Sequence, residues 1–191
     1  MFFPSITEFW NKFKQIWSID NTSEKNNDLS QLLPYLKLST LLKDKFTALW
    51  TSLQRVTQKE HLILQITSSQ RGEGKSTITF LAARTLAGSD MGRFLIIDSN
   101  IYHSSQAELF QVPSSPGLLD VLNKDIKFED AVKETVVNNL QILPVGSPLP
   151  LIQAQILLAR ELGVLLEEIQ EKYDCILIDT ASVVLSSLPE S

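Results

Sequence analysis

The sequence predicts an α/β fold in which a mainly parallel sheet is covered by helices on both faces. Short apolar runs alternate with longer segments of helical periodicity, which is the pattern of strands joined by crossover helices. A glycine-containing loop at Ser68–Thr77 also lies directly between the first apolar run and the helix that follows it. Together, these observations predict a sheet whose first strand opens into a ligand-binding loop.

The composition is that of an ordinary globular protein, with 43% hydrophobic and 20% charged residues. The net charge is -5, and because lysines and arginines are scattered rather than clustered, we expect no nucleic-acid partner. Cys175 lies in an apolar run, so we expect a buried thiol and no disulfide, as suits the cytoplasm. A cytoplasmic location is predicted because no signal-peptide pattern occurs and no run approaches the ~20 apolar residues of a membrane span.

Residues 1–31 are predicted to form an amphipathic helix followed by a polar linker. Apolar and aromatic residues recur every three or four positions between Phe2 and Trp17, which places them on one face of a helix. That face could pack on the protein or a partner helix, or it could contact a membrane peripherally through residues 1–17. We favour packing because only two lysines support the membrane alternative. The linker is Asp20–Gln31, which is almost wholly polar.

Residues 32–57 are predicted as a helical lead-in, and residues 58–191 as the α/β core. In the lead-in, apolar positions return at helical spacing from Leu38 to about Arg55. The predicted strands of the core are His61–Thr67, Phe94–Asp98, Leu140–Val145 and Asp174–Asp179. The predicted helices are Thr77–Leu86 and Gln153–Tyr173.

The loop SSQRGEGKST has the residues of a phosphate-binding loop. Gly72 and Gly74 permit backbone conformations that aim amide groups inward, and the helix that starts near Lys75 adds the positive end of its dipole. Lys75 is expected to reach the β- and γ-phosphates and Ser76 to ligate magnesium, so ATP with Mg²⁺ is the predicted ligand. Ser69 stands where the strict pattern has glycine, so the flanking strand and helix carry the prediction. The candidate nucleotide contacts are Gly72, Glu73, Gly74, Lys75, Ser76 and Thr77.

Asp98 and Asp179 each end a predicted strand, and the carboxyl ends of parallel strands meet at one edge of a sheet. We therefore expect both side chains to face the bound phosphates. Either aspartate could hold magnesium, directly or through water, or orient the attacking nucleophile. The candidate catalytic residues are thus Lys75, Asp98 and Asp179, and the candidate metal ligands are Ser76, Asp98 and Asp179. The alternative is that such an aspartate caps the turn that follows it.

Five segments together resemble the cytoplasmic ATPase domain of bacterial tyrosine kinases, which are polysaccharide co-polymerase proteins. The segments are TSSQRGEGKST, FLIIDSN, PGLLDVLN at Pro116–Asn123, NLQILPVGSPLP and YDCILIDTAS. Their order and spacing match that family over about Asp44–Ser191, and the ensemble makes the resemblance specific. It implies a P-loop NTPase fold, related to the partition and division-site ATPases with a deviant Walker A loop.

By this resemblance, Lys75, Ser76 and Thr77 belong to the Walker A loop, Asp98 to Walker A′ and Asp179 to Walker B. The resemblance implies ATP-dependent autophosphorylation on tyrosine, coupled to biosynthesis and export of capsular or extracellular polysaccharide. The implied partners are a membrane-embedded activator protein and further copies of the chain, at the inner face of the cell membrane.

The chain departs from the family at several positions. Asn100 stands where a second aspartate is usual, and Tyr102 and His103 stand where arginines are usual. Since an amide cannot serve as a proton acceptor, a nucleotide-switched regulatory partner is an alternative to a tyrosine autokinase. A membrane-surface ATPase that uses the N-terminal helix as an anchor is a third. The family continues well beyond Asp179, so we expect the core to be incomplete at its C-terminal end, and the sequence makes no prediction about which base is bound.

Overall fold

The computed structural model describes the backbone of residues 29–182 and the side chains of residues 40–182. The predicted N-terminal amphipathic helix and most of its linker lie outside the described residues. The chain divides into two units, residues 1–45 and residues 46–191, and the second carries the sheet. No helix within residues 29–182 has the length and apolar character of a membrane span.

The predicted strands and helices of the core occur in the described residues in the predicted order. The helices are α1 Leu29–Thr57, α2 Lys75–Ala87, α3 Gln106–Phe110, α4 Leu118–Leu122, α5 Phe128–Ala131 and α6 Leu151–Ile169, with a 3₁₀ turn at Gln170–Lys172. The strands are β1 Leu62–Ile66, β2 Phe94–Asp98, β3 Lys133–Glu134, β4 Leu140–Leu143 and β5 Cys175–Asp179. Several bounds differ from the prediction, among them those of α1 and β4. The helix α1 begins at Leu29 rather than Leu38, and β4 ends before Pro144, which has no N–H for a sheet ladder.

The strands form one five-stranded sheet in the order β1-β5-β2-β4-β3. The strands β1, β5, β2 and β4 run parallel, and the two-residue β3 is antiparallel to β4. In this register Asp179 pairs with Ile66 at the end of β1 and with Asp98 at the end of β2. The carboxyl ends of the three strands therefore lie level, and the two predicted aspartates stand side by side next to the loop that follows β1.

Helices cover both faces of the sheet. The strand β2 is buried along its whole length, and successive side chains point to opposite faces. Leu95 and Ile97 belong to a buried cluster that includes residues of α4 and α6, whereas Phe94 packs on Trp50 of α1 with ring centroids 5.3 Å apart. The predicted mainly parallel sheet with helices on both faces is therefore confirmed.

A clip of hydrogen bonds joins the start of α4 to the segment after β4. The N–H of Leu118 donates to the carbonyl of Pro144 at 2.7 Å. The Asp120 carboxylate completes this clip, because it accepts the N–H groups of Gly117 at 2.7 Å and Ser147 at 3.0 Å. The PGLLDVLN segment thus has a structural role, which is to anchor α4 to the end of β4.

Cys175 is predicted to be inert in the folded protein. Its side chain is fully buried, as expected from the sequence, and burial, followed by the charge of Asp174, raises the pKa of the thiol to about 12. Only the thiolate is nucleophilic, so we expect the native protein not to react with a disulfide-exchange reagent and the denatured protein to react fully. The modification is measured by absorbance, and rapid modification of the native protein would contradict the buried placement of Cys175.

Candidate nucleotide-binding site

The loop between β1 and α2 contains two glycines whose backbone is in the left-handed region. The φ angle is 84° at Gly72 and 87° at Gly74, and Gly74 directly precedes α2. A Cβ at either position would meet nothing within 4 Å, so these glycines serve the backbone conformation rather than close packing. A chain that alternates such residues with ordinary ones can curve its amide groups into an anion-binding concavity, here next to the positive end of α2.

The side chain of Lys75 spans this loop. Its Nζ atom donates to the hydroxyl of Ser68, at the beginning of the loop, at 2.9 Å. That hydroxyl in turn donates to the carbonyl of Gln70 at 2.8 Å. The ammonium group is thereby held between the two ends of the loop, where it can neutralise a bound anion.

Glu73 stabilises the same loop through hydrogen bonds to other residues of the loop. Its carboxylate accepts the N–H of Gln70 at 2.9 Å and the hydroxyl of Ser69 at 3.2 Å. The hydrogen bond from Gln70 is the main reason that the pKa of the Glu73 carboxyl lies below its ordinary value. The side chain thus supports the shape of the loop, and the predicted contact of Glu73 with nucleotide stays a prediction.

Asp98 is fully buried, and backbone amides occupy both of its carboxylate oxygens. Oδ1 accepts the N–H of Asn100 at 3.2 Å, and Oδ2 accepts those of Ser105 at 3.2 Å and Gln106 at 3.1 Å. Burial, reinforced by the charge of Asp179, raises the pKa of Asp98 to about 7 in spite of these bonds. The geometry matches the turn-capping alternative, and the predicted catalytic and metal-binding roles of Asp98 stay predictions.

Asp179 lies beside Asp98 and is also fully buried. Its Oδ2 accepts the side-chain amide of Gln106 at 2.7 Å, whereas Oδ1 has no hydrogen-bond partner among the described residues. Burial raises the pKa of the Asp179 carboxyl, and the side chains of Gln106 and Ser76 and the charge of Lys75 oppose this rise. Of the two carboxylates, Asp179 is therefore the one with an oxygen left for a ligand.

Gln106, which was not predicted from the sequence, connects the parts of the site. Its Nε2 atom also donates to the backbone carbonyl of Ser76 at 2.9 Å, and its backbone N–H donates to Asp98. A glutamine at the start of a short helix carries no sequence signal of such a role, because only the register of β2 and β5 brings its partners together.

Ser76 and Thr77 lie half-buried in the first turn of α2.

Asn100, Tyr102 and His103 stand where the resemblance implies a second aspartate and two arginines, and each makes a contact of its own. The Oδ1 atom of Asn100 accepts the N–H of His103 at 3.2 Å, and Nη2 of Arg71 lies 3.4 Å from Nδ1 of His103. The hydroxyl of Tyr102 accepts the side-chain amide of Gln155 at 2.6 Å. Contacts of an amide, an imidazole and a hydroxyl group thus occupy the positions where the resemblance implies charged side chains.

The residues of the site fit Mg²⁺ and a nucleotide phosphate. A cation would stabilise two adjacent buried carboxyls whose pKa values are raised, and one carboxylate oxygen is unpartnered. Within the part of the chain that the structure describes, no group of three or more His, Cys, Asp or Glu could hold a metal ion. Mg²⁺ is usually bound through one or two carboxylates together with phosphates and water, and Asp179 offers one such carboxylate.

The raised pKa of Asp98 predicts that stability falls as pH rises. The folded protein holds this proton more tightly than the unfolded chain does, so the stabilisation is complete below the ordinary pKa of 3.8 and is lost as pH rises through about 7. We expect Tm in magnesium-free buffer to fall by on the order of 5–10 °C between about pH 5 and pH 8. Scanning calorimetry across this range measures the slope.

The matched variant for this prediction is Asp98→Asn. Its Tm should be lower throughout, because an amide nitrogen cannot accept the backbone N–H groups that Asp98 binds. Its pH slope should nevertheless be flatter than that of the wild type, since the titrating carboxyl is gone. An equally steep slope in the variant would show that other groups cause the pH dependence.

Known proteins are similar to this chain in sequence and in fold. Residues 61–188 match a family described as AAA domain. The putative tyrosine-protein kinase CapB of Staphylococcus aureus is 27% identical over 162 residues, which are 84% of this chain and 70% of CapB. The crystal structure of the VpsO kinase domain is 27% identical with a TM-score of 0.68, and the match covers 81% of this chain and 75% of that domain.

A second group of solved structures is also similar. The septum site-determining protein MinD of Pyrococcus horikoshii, complexed with Mg-ADP, is 30% identical with a TM-score of 0.52. That match covers 62% of this chain and 48% of MinD. The chain spans 70% of CapB but only 15% of another curated relative, a tyrosine-protein kinase of Acinetobacter johnsonii. The predicted resemblance to bacterial tyrosine kinases and to division-site ATPases is confirmed.

Proposed function

Because the chain belongs to the AAA-domain family, we propose that it binds ATP with Mg²⁺ in the loop after β1 and acts as a tyrosine autokinase. One observation carries this proposal. The Asp179 carboxyl, whose Oδ1 has no hydrogen-bond partner among the described residues, interacts with Lys75 and Ser76 at the carboxyl edge of the sheet, where ligands of open α/β sheets bind. The relatives named as tyrosine-protein kinases support the same reaction.

The chain's own residues would contribute chiefly positioning and charge. The amide groups around Gly72 and Gly74 orient the phosphates, and the Lys75 ammonium neutralises negative charge on them. The Ser76 hydroxyl and Asp179 would hold Mg²⁺, which supplies further neutralisation of the phosphates when bound. Asp98 keeps the loop between β2 and α3 closed, because the backbone amides of Asn100 and Ser105 in that loop and of Gln106 at the start of α3 donate to it.

Labelling with γ-labelled ATP tests the kinase proposal. The purified full chain is incubated with Mg²⁺ and an activating segment of a membrane-embedded partner, and phosphotyrosine is then measured. We expect label on tyrosine in the wild type. The control is Asp130→Asn, which changes an exposed carboxylate outside the site and should keep the wild-type labelling. In Asp179→Asn the amount of labelled tyrosine should fall at least roughly tenfold. A wild type without phosphotyrosine would make the kinase proposal wrong.

A second candidate is a nucleotide-switched regulatory partner without kinase chemistry. The contacts after β2 favour it, because backbone amides occupy both oxygens of Asp98 and Asn100 replaces the second aspartate. This function predicts that calorimetry detects Mg–ATP binding while turnover stays very low. Brisk hydrolysis or autophosphorylation would exclude it, and absence of binding to every Mg–nucleotide would exclude both functions.

The resemblance also leads us to propose partners and a location. A membrane-embedded activator of polysaccharide export would bind the chain, and copies of the chain would self-associate at the inner face of the cell membrane. The core, residues 58–191, would carry the nucleotide chemistry. Co-sedimentation with anionic vesicles, with and without residues 1–17, separates membrane contact through the N-terminal segment from attachment through a partner.

A further inference from the structure

Gln106 contacts three functional segments of the site at once. The side chain is fully buried, although glutamine is mostly an exposed residue in proteins. Its amide nitrogen bonds to Ser76 and Asp179, and its backbone N–H bonds to Asp98. We propose that Gln106 is a positioning residue that aims the free oxygen of Asp179 at the bound Mg²⁺, an inference that rests on the proposed function.

The two partners of the side-chain amide determine its orientation. One is the carbonyl of Ser76 at 2.9 Å and the other is Oδ2 of Asp179 at 2.7 Å, and both atoms are acceptors. Only the amide NH₂ group has two donors, so the nitrogen of Gln106 must face them. The same side chain therefore ties the first turn of α2 to the end of β5 with two hydrogen bonds, one of them to a carboxylate.

These bonds restrict how Asp179 can present its carboxylate. With Oδ2 held by Gln106, rotation of the group is limited and Oδ1 becomes the oxygen available to a ligand. The Oε1 atom of Gln106 is also buried and has no hydrogen-bond partner among the described residues. Both unpartnered atoms are acceptors, which suits a hydrated cation because its water ligands are donors.

The test compares ADP affinity with and without Mg²⁺, which isolates the contribution of the cation from that of the loop. Isothermal titration calorimetry is performed on the full chain with ADP in excess Mg²⁺ and with ADP in excess chelator. In Gln106→Met, which keeps the length of the side chain but removes the donors, we expect the Mg²⁺-dependent gain in affinity to fall roughly tenfold or more. Affinity for ADP in chelator should change little.

Phe110→Leu is the matched control, because it weakens the same short helix without touching a carboxylate. Phe110 packs on Phe80 with ring centroids 4.7 Å apart, so this variant should lower Tm yet keep the wild-type gain from Mg²⁺. Gln106→Asn, which is too short to reach both acceptors, should behave like Gln106→Met and replaces it if the methionine variant does not fold.

The outcomes separate this inference from the proposed function. A wild type that does not bind ADP, or binds it without any effect of Mg²⁺, makes the proposed function wrong. If the wild type shows the expected Mg²⁺-dependent gain in ADP affinity and Gln106→Met shows the same gain, only the positioning role is overturned. Failure of both Gln106 variants to fold, or an equal loss of the gain in Phe110→Leu, would show that Gln106 supports the fold and would also overturn it.

Discussion

Lys75→Met is expected to lower Mg–ATP turnover by roughly a hundredfold or more. The substitution removes the positive charge that the loop holds between its two ends, through the bond from Nζ to Ser68 at 2.9 Å. The cost to folding should be small, because a single hydrogen bond contributes ~1 kcal/mol and the methionine stem can keep the packing of the lysine stem. Turnover is measured by phosphate release or phosphotyrosine formation, and Tm is measured on the same samples.

Lys59→Met is the control for charge alone. Lys59 is exposed and precedes β1, so its replacement should leave both turnover and Tm close to wild type. A Lys75→Met variant with wild-type turnover would show that the loop after β1 is not where the phosphates bind. A large fall in Tm for Lys75→Met would mean that the lysine supports the fold of the loop.

The fold could be predicted largely because its main strands are continuous apolar runs. Phe94–Asp98 is a strand in both the prediction and the structure, since a central parallel strand is buried on both faces and every residue but the last is apolar. The shortest elements could not be predicted, because two to five residues are too few to show a periodic pattern. These elements are β3 and the helices α3, α4 and α5. The place of β5 between β1 and β2 depends on long-range pairing, which a single sequence does not display.

The site could be predicted only where local chemistry carries the signal. The turn at Gly72 and Gly74 needs φ values that glycine adopts freely, so the loop can be recognised from the sequence. Asp98 could be placed at a strand end, yet three backbone amides between Asn100 and Gln106 donate to its oxygens, and the sequence carries no signal of such contacts. Gln106 was not predicted for the same reason.

The largest stability effect is expected from Gly117→Ala in the clip between α4 and the end of β4. Gly117 has extended backbone, so the difficulty is space rather than conformation. A Cβ there would lie 2.2 Å from the carbonyl oxygen of Pro144 and 2.6 Å from the nitrogen of Gly146, and both are backbone atoms. Relief of this overlap must separate the two segments and stretch the bond from Leu118 to Pro144.

We expect Gly117→Ala to lower the free energy of unfolding by roughly 3 kcal/mol, or Tm by about 6–12 °C. The matched control is Gly163→Ala in α6, where a Cβ would meet nothing within 4 Å and alanine should stabilise the helix by about 0.5–1 kcal/mol. The added methyl group should therefore lower the free energy of unfolding at position 117 and raise it at position 163, as measured by urea denaturation. Equal stability of the two variants would mean that the clip can open at little cost, and that it does not anchor α4.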